Sequence, residues 1–191
     1  MNLSMPLVLA SASPRRKELL SDIIADFKVC AADIEERRLD NESPADYVSR
    51  LALEKAQAVS GLYPEHWLLG SDTIVVSGNL VFEKPKDKDD FLRMFSVLSG
   101  ATHQVMTAIA VVKQERHWVE NVITDVTFRT LSMHEIDTYW DSGEPSDKAG
   151  GYGIQGQAGC FVERIVGSYS AVVGLPLCQT HQLLTQALQE T

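Results

Sequence analysis

Pro6-Leu7-Val8-Leu9-Ala10-Ser11-Ala12-Ser13-Pro14-Arg15-Arg16-Lys17-Glu18-Leu19-Leu20 reads as strand, tight turn and helix start. The apolar run from Pro6 to Ala10 suits a strand, Ser13 is a natural N-cap, and Pro14 fits the first helical position. Arg15 and Arg16 then fall in the first helical turn. The helix macrodipole places partial positive charge at that end, so each cation there costs roughly 0.3–1 kcal/mol unless an anion is present. Free N–H groups, a serine hydroxyl and two guanidiniums converging on one point describe a phosphate cradle. The plainer alternative is two surface arginines in salt bridges.

Working outward, 191 residues with 45% hydrophobic content fit one globular domain, 1–191, with a full core. The net charge of -9 argues against a protein that coats nucleic acid, because polyanion binding needs a broad positive surface. A small phosphorylated ligand held in a local positive pocket suits this balance better. Cys30, Cys160 and Cys178 are odd in number and lack metal-type spacing, so reduced core cysteines and a cytoplasmic location are expected. The first apolar run is too short for a signal peptide, and no segment approaches the roughly 20 apolar residues of a membrane span.

Phe27-Lys28-Val29-Cys30 predicts a short strand leading into a polar stretch, Asp33 to Asn41, that holds Glu36. Ser43-Pro44-Ala45-Asp46 announces a helix with a buried stripe of Val48, Leu51, Ala52, Ala56 and Val59. Lys55 falls on that stripe and must either snorkel to water or meet an anion. Trp67-Leu68-Leu69 and Ile74-Val75-Val76 flank Gly70-Ser71-Asp72-Thr73, a polar quartet that is expected to interrupt the strand. Leu80-Val81-Phe82 returns as a hairpin, and Phe91, Met94, Phe95 and Leu98 give the next helix its buried face.

Strands from Gln104 to Lys113 and from Trp118 to Thr130 should pair, and Ser132-Met133-His134-Glu135 is a capping box. The stretch from Asp147 to Gly156 is glycine-rich; Cys160 to Ile165 and Ala171 to Val173 look like strands before a last helix opened by Pro176, with Leu177, Leu183, Leu184 and Leu188 as its stripe. Alternating strands and helices with a hairpin predict an α/β domain with a mixed sheet.

Asp72 is expensive to bury without a partner. A metal ion, a neighbouring lysine or a water awaiting deprotonation would each justify it; a turn aspartate bonded to its own backbone is the alternative. The cradle at Ser13 to Arg16, the lysines Lys55, Lys84 and Lys148, and the carboxylates Glu36, Asp72 and Asp147 form a phosphoryl-transfer set. No P-loop is present. Gly151-Tyr152-Gly153-Ile154-Gln155-Gly156 matches dinucleotide glycine spacing by letter, but it precedes a strand-like segment instead of opening a helix.

These residues resemble the Maf proteins, the septum-formation inhibitor homologues that are nucleoside triphosphate pyrophosphatases. The likeness runs over essentially the whole chain, through Leu9-Ala10-Ser11-Ala12-Ser13-Pro14-Arg15-Arg16, Glu54-Lys55-Ala56, Gly70-Ser71-Asp72-Thr73, Glu83-Lys84-Pro85, Leu98-Ser99-Gly100 and Asp147-Lys148-Ala149-Gly150. Arg15, Thr73 and the run Tyr152 to Gly156 resemble the subgroup acting on dTTP and UTP; the 7-methyl-GTP subgroup typically has an aromatic in place of Arg15 and an acid in place of Gln155. Gln155 offers both a donor and an acceptor to a pyrimidine's imide edge.

The resemblance implies an elongated, mixed and twisted sheet with flanking helices, an active-site cleft between two lobes, and water attack on the α-phosphate with help from a divalent cation, Mg or Mn. By matched motif it implies that Asp72 is the catalytic carboxylate, as proton acceptor, metal ligand or both. Ser13, Arg16, Lys55 and Lys84 would hold phosphates, Glu36 would assist metal or water, and Arg15, Thr73 and Gln155 would set base choice. Homodimers are common in such proteins. A non-catalytic nucleotide or nucleic-acid binder regulating cell division is the rival; it needs the cradle but not Asp72.

Overall fold

Leu7–Leu9 forms strand β1 and Pro14–Ser21 forms helix α1, with the Arg16 N–H donating to Ser13 Oγ as the cap requires. The computed structural model describes residues 6–190. Along the chain follow β2 (Lys28–Val29), α2 (Pro44–Ala58), β3 (Trp67–Ser77), β4 (Leu80–Phe82), α3 (Lys88–Leu98), β5 (Thr102–Lys113), β6 (Arg116–Phe128), α4 (Met133–Asp141), β7 (Val162–Val166), α5 (Tyr169–Val173) and α6 (Leu177–Gln189). Short 3-10 turns cover Glu144–Asp147, Ala149–Gly151 and Gln157–Phe161.

The strands run in the order β2-β1-β3-β5-β6-β7, with β4 also paired to β3. β1 is parallel to β2 and to β3, whereas β4 lies antiparallel on β3 and β7 antiparallel on β6, so the sheet is mixed, as the alternation of elements predicts. The register pairs Leu7 with Trp67, Val8 with Leu68 and Leu9 with Leu69.

The chain forms two compact units. The first takes residues up to Asp72, Thr107–Val122 and everything from Gly174 onward. Its core joins Leu7, Leu9, Leu20, Leu69, Ile109 and Leu184, and α2 seals Val8, Ala56, Val59 and Leu68 together. The second takes Thr73–Met106 and Ile123–Val173 and is aromatic: Phe91, Phe95, Phe128, Tyr139 and Phe161 are all in one cluster. The predicted Ser132–Glu135 capping box opens α4 there.

Four expectations are corrected. The polar quartet does not interrupt β3, because pairing to β1 before it and to β4 after it holds the backbone extended through Gly70-Ser71-Asp72-Thr73. Ala171 to Val173 is helical; the Ala171 N–H donates to Ser168 Oγ and the Val172 N–H to the Ser168 carbonyl, so local capping overrides the β preference of two valines. The cysteines are free but not core residues, since Cys30 is half-buried and Cys160 and Cys178 are exposed. Leu188 sits on the outer side of α6, whose buried stripe is Thr180, Leu183, Leu184 and Ala187.

His103 is 2% exposed, shares a 2.8 Å hydrogen bond between its Nε2 and the Tyr152 hydroxyl, and leaves Nδ1 buried without a partner. Burial pulls its pKa from the ordinary 6.5 down to about 4. The unfolded chain therefore binds a proton at this imidazole between those values and the folded chain does not. Unfolding free energy measured in urea should fall as pH drops from 6.5 to 4, by on the order of 3 kcal/mol, with no further loss from this group below 4. His103→Gln should flatten that segment of the curve. It should spare the lower segment, where Glu42, held down to about 2 by its hydrogen bonds from Arg50, loses its contribution as pH falls below the usual carboxylate range.

Gly70 offers a second check. A Cβ built there would lie 2.0 Å from the Ala52 carbonyl oxygen and 2.8 Å from the Ala56 nitrogen, both backbone atoms of α2. Gly70→Ala should cost roughly 1–3 kcal/mol by overpacking, seen as a lowered thermal midpoint.

Candidate active site

Side chains alternate along a strand, so Gly70 and Asp72 share one face of β3. That face meets α2. With no side chain at Gly70, the helix backbone comes into contact with the strand, and Lys55, between Ala52 and Ala56 in sequence, is brought down onto Asp72. Lys55 Nζ donates to Asp72 Oδ1 at 2.5 Å and pairs with Glu36 Oε1 at 2.9 Å. The Lys55 and Asp72 side chains are 10% and 7% exposed, whereas that of Glu36 is 48% exposed. The buried carboxylate therefore has its neighbouring lysine, and the turn-aspartate alternative is excluded by the strand around it.

The three parallel strands β2, β1 and β3 all point their carboxyl ends the same way. The Ser11–Ser13 turn leaves the end of β1, the segment carrying Glu36 follows the end of β2, and Asp72 lies just past the β1-paired part of β3. Ligands in open α/β sheets collect outside this edge.

Arg16 is half-buried. Its Nε donates to the Gly174 carbonyl at 2.8 Å and its Nη1 to Ser11 Oγ at 3.4 Å. The same carbonyl accepts from the buried Ser71 hydroxyl at 3.1 Å. Burial lowers the Arg16 pKa, the Asp72 and Glu36 carboxylates oppose that, and Arg15 adds to it. A half-buried guanidinium bonded to the Gly174 carbonyl and to Ser11 is no surface arginine. The Ser13 oxygen accepts the Arg16 N–H, leaving its own proton free to turn toward a ligand.

Ser13, Arg15, Arg16, Glu36, Lys55 and Asp72 all belong to the first unit, where Lys55 joins Glu36 to Asp72 and the Arg16 N–H is capped by Ser13. Thr73, Lys84 and Gln155 belong to the second. Thr73 is half-buried on β3, and Lys84 is exposed beyond β4. The carbonyl of its neighbour Glu83 accepts the Gly150 N–H at 2.9 Å, which ties Glu83-Lys84-Pro85 to Lys148-Ala149-Gly150. Gln155 is exposed on a turn bracketed by Gly153 N–H to the Tyr139 hydroxyl, 3.2 Å, and Gln157 N–H to Glu144 Oε2, 3.0 Å. Lys148 is bound to its own loop, by Asp147 Oδ1 at 2.6 Å and the Glu144 carbonyl at 2.7 Å.

Among the described residues no group of three His, Cys, Asp or Glu could hold a metal ion. The donor set is instead two carboxylates, Asp72 and Glu36, converging on the Lys55 ammonium. Two carboxylates completed by water and substrate phosphates suit Mg²⁺, which is rarely caged by protein alone. No helix is long and apolar enough to cross a membrane among the described residues.

Sequence reasoning missed the Gly174 carbonyl, and it left Ser11 and Ser71 without roles. Gly174 is 158 positions from Arg16 and carries no side chain to announce a contact. The serines stood inside quoted motifs, and only their placement shows what they hold.

The model of the Maf-like protein family matches residues 6–187. A dTTP/UTP pyrophosphatase of Vibrio parahaemolyticus is 55% identical over 189 residues, covering 98% of this chain and 100% of that protein. A dTTP/UTP pyrophosphatase of Pseudoalteromonas translucida is 54% identical over 182 residues, covering 95% and 96%. One from Photorhabdus laumondii is 51% identical over 181 residues, covering 94% and 93%. A family match from the first described residue through Ala187, beside relatives that share more than half their aligned residues with it, makes this chain a member of the Maf-like protein family.

Proposed function

We propose that the chain is a nucleoside triphosphate pyrophosphatase that hydrolyses dTTP and UTP to the nucleoside monophosphate and pyrophosphate. The observation that carries this is the buried Lys55–Asp72 pair, with Glu36 on the same ammonium and the Arg16 guanidinium under the electrostatic pull of both carboxylates. A binding module would need the cations but has no use for a nearly buried acid among them. The shared name of relatives at 51–55% identity supports the pyrimidine substrates.

In this mechanism Ser13, Arg16, Lys55 and Lys84 hold the triphosphate, neutralising charge that the transition state spreads over its oxygens. Asp72 orients the attacking water and accepts its proton, so that water adds at the α-phosphorus and pyrophosphate leaves. Glu36 keeps Lys55 and the water in place. When bound, Mg²⁺ or Mn²⁺ would supply further charge neutralisation, with Asp72 and Glu36 as the residues of this chain that hold it. Arg15, Thr73 and Gln155 choose the base; the Gln155 amide pairs with the donor and acceptor of a pyrimidine imide edge, and an ill-matched base leaves polar groups unpaired. A cytoplasmic site of action is supported by the three free thiols.

Incubation with dTTP or UTP and magnesium should yield monophosphate and pyrophosphate in equal amounts; orthophosphate as first product would exclude attack at the α-phosphorus. Asp72→Asn should lower kcat by about 10²–10⁴ while circular dichroism stays that of the parent, since Lys55 keeps Glu36 as partner. Turnover near the parent's would remove the role given to Asp72.

A further inference from the structure

Glu36 poses a problem that the mechanism does not solve. Its side chain is half exposed, it sits on a segment without helix or strand, and its ion pair with Lys55 is of a kind worth about 0–1 kcal/mol when solvent reaches it. Such a pair cannot by itself order the segment, so something else must keep Glu36 on Lys55.

Arg50 lies on α2, five positions before Lys55, and is three-quarters buried over the Tyr47 ring. Its Nε and Nη2 grip the Glu42 carboxylate at 2.7 and 2.8 Å as a two-pronged fork. Its Nη1 meets Glu54 at 3.0 and 3.1 Å. The remaining Nη2 proton goes to the carbonyl of Arg37, the residue directly after Glu36, at 2.9 Å. Glu42 in turn accepts the Leu39 N–H at 3.0 Å, and Arg38 donates to the Glu42 carbonyl. The fork thus fastens both ends of the 37–42 stretch to the helix that carries Lys55. A rigid planar guanidinium can do this; a lysine, a point charge on a flexible stem, cannot.

We propose that Arg50 is the positioning residue for Glu36: by clamping the Arg37 carbonyl and the Glu42 carboxylate to α2, it fixes Glu36 against Lys55 beside Asp72. In its activity arm the proposal rests on the pyrophosphatase reading. Arg50 acts through Glu36 and touches no substrate.

The test is a double-mutant cycle with UTP. Arg50→Gln and Glu36→Gln should each lower kcat/KM by about tenfold, and the double variant should be no slower than the worse single one. Equal fold-losses from Arg50→Gln in the parent and in Glu36→Gln would show a general structural role and overturn the proposal. Arg50→Lys enters the same cycle should Arg50→Gln not fold, and it should remain impaired because the fork is gone. In parallel, amide hydrogen exchange in residues 35–42 should rise in the Arg50 variant while residues 48–58 stay protected; unchanged exchange in 35–42 overturns the clamp. If the parent protein releases no monophosphate, the pyrophosphatase reading fails, and the exchange measurement still decides on the clamp.

Discussion

Lys55 and Asp72 are opposite charges taken almost fully out of water, and the desolvation this requires is offset by their contact with each other, with Glu36 as a second partner of the ammonium. Their contact depends on how close α2 can come to β3. That distance is set by Gly70, whose missing side chain lets backbone touch backbone at Ala52 and Ala56. The rest of the first unit can be understood as support for that approach. Ala56 and Val59 pack against Val8 and Leu68 and fasten the helix to the sheet, and the parallel pairing of β1 with β3 delivers the Ser11–Ser13 turn to the same edge.

Charge arrangement follows from this packing. The chain is acidic as a whole, yet Arg16 and Lys55 are both drawn inward, Lys55 onto Asp72 and Glu36 and Arg16 under the electrostatic pull of the same two carboxylates. Two cations and two carboxylates in one place nearly cancel. In the proposed function, a triphosphate entering such a site would meet cations that are already ordered and partly desolvated, so little reorganisation would be needed as charge develops on the phosphate oxygens.

Much of this was legible in the sequence because it is written in local signals. The cap at Ser13, the helix start at Ser43-Pro44, the stripe carrying Lys55 and the capping box at Ser132 each depend on neighbours within four positions, and each is found in the structure. What could not be read is non-local. Polar residues at 70–73 look like a break until strands on either side hold them extended, and the valines near 172 look like strand until Ser168 caps a helix. The two exposed cysteines look apolar by type alone. Pairing of Lys55 with Asp72 was one of several options for a buried carboxylate, and only the register of α2 on β3 selects it.

Gly174 carries a consequence of another kind. Its φ of 128° belongs to the conformations that side chains oppose, and its peptide oxygen receives both the Arg16 guanidinium and the Ser71 hydroxyl. The aim of a key cation is thus governed by the tilt of one amide plane near the chain's far end. A comparison that matches functional groups residue by residue would pass over such a control, and a protein altered only there would keep every reactive atom while losing the angle at which one of them is presented.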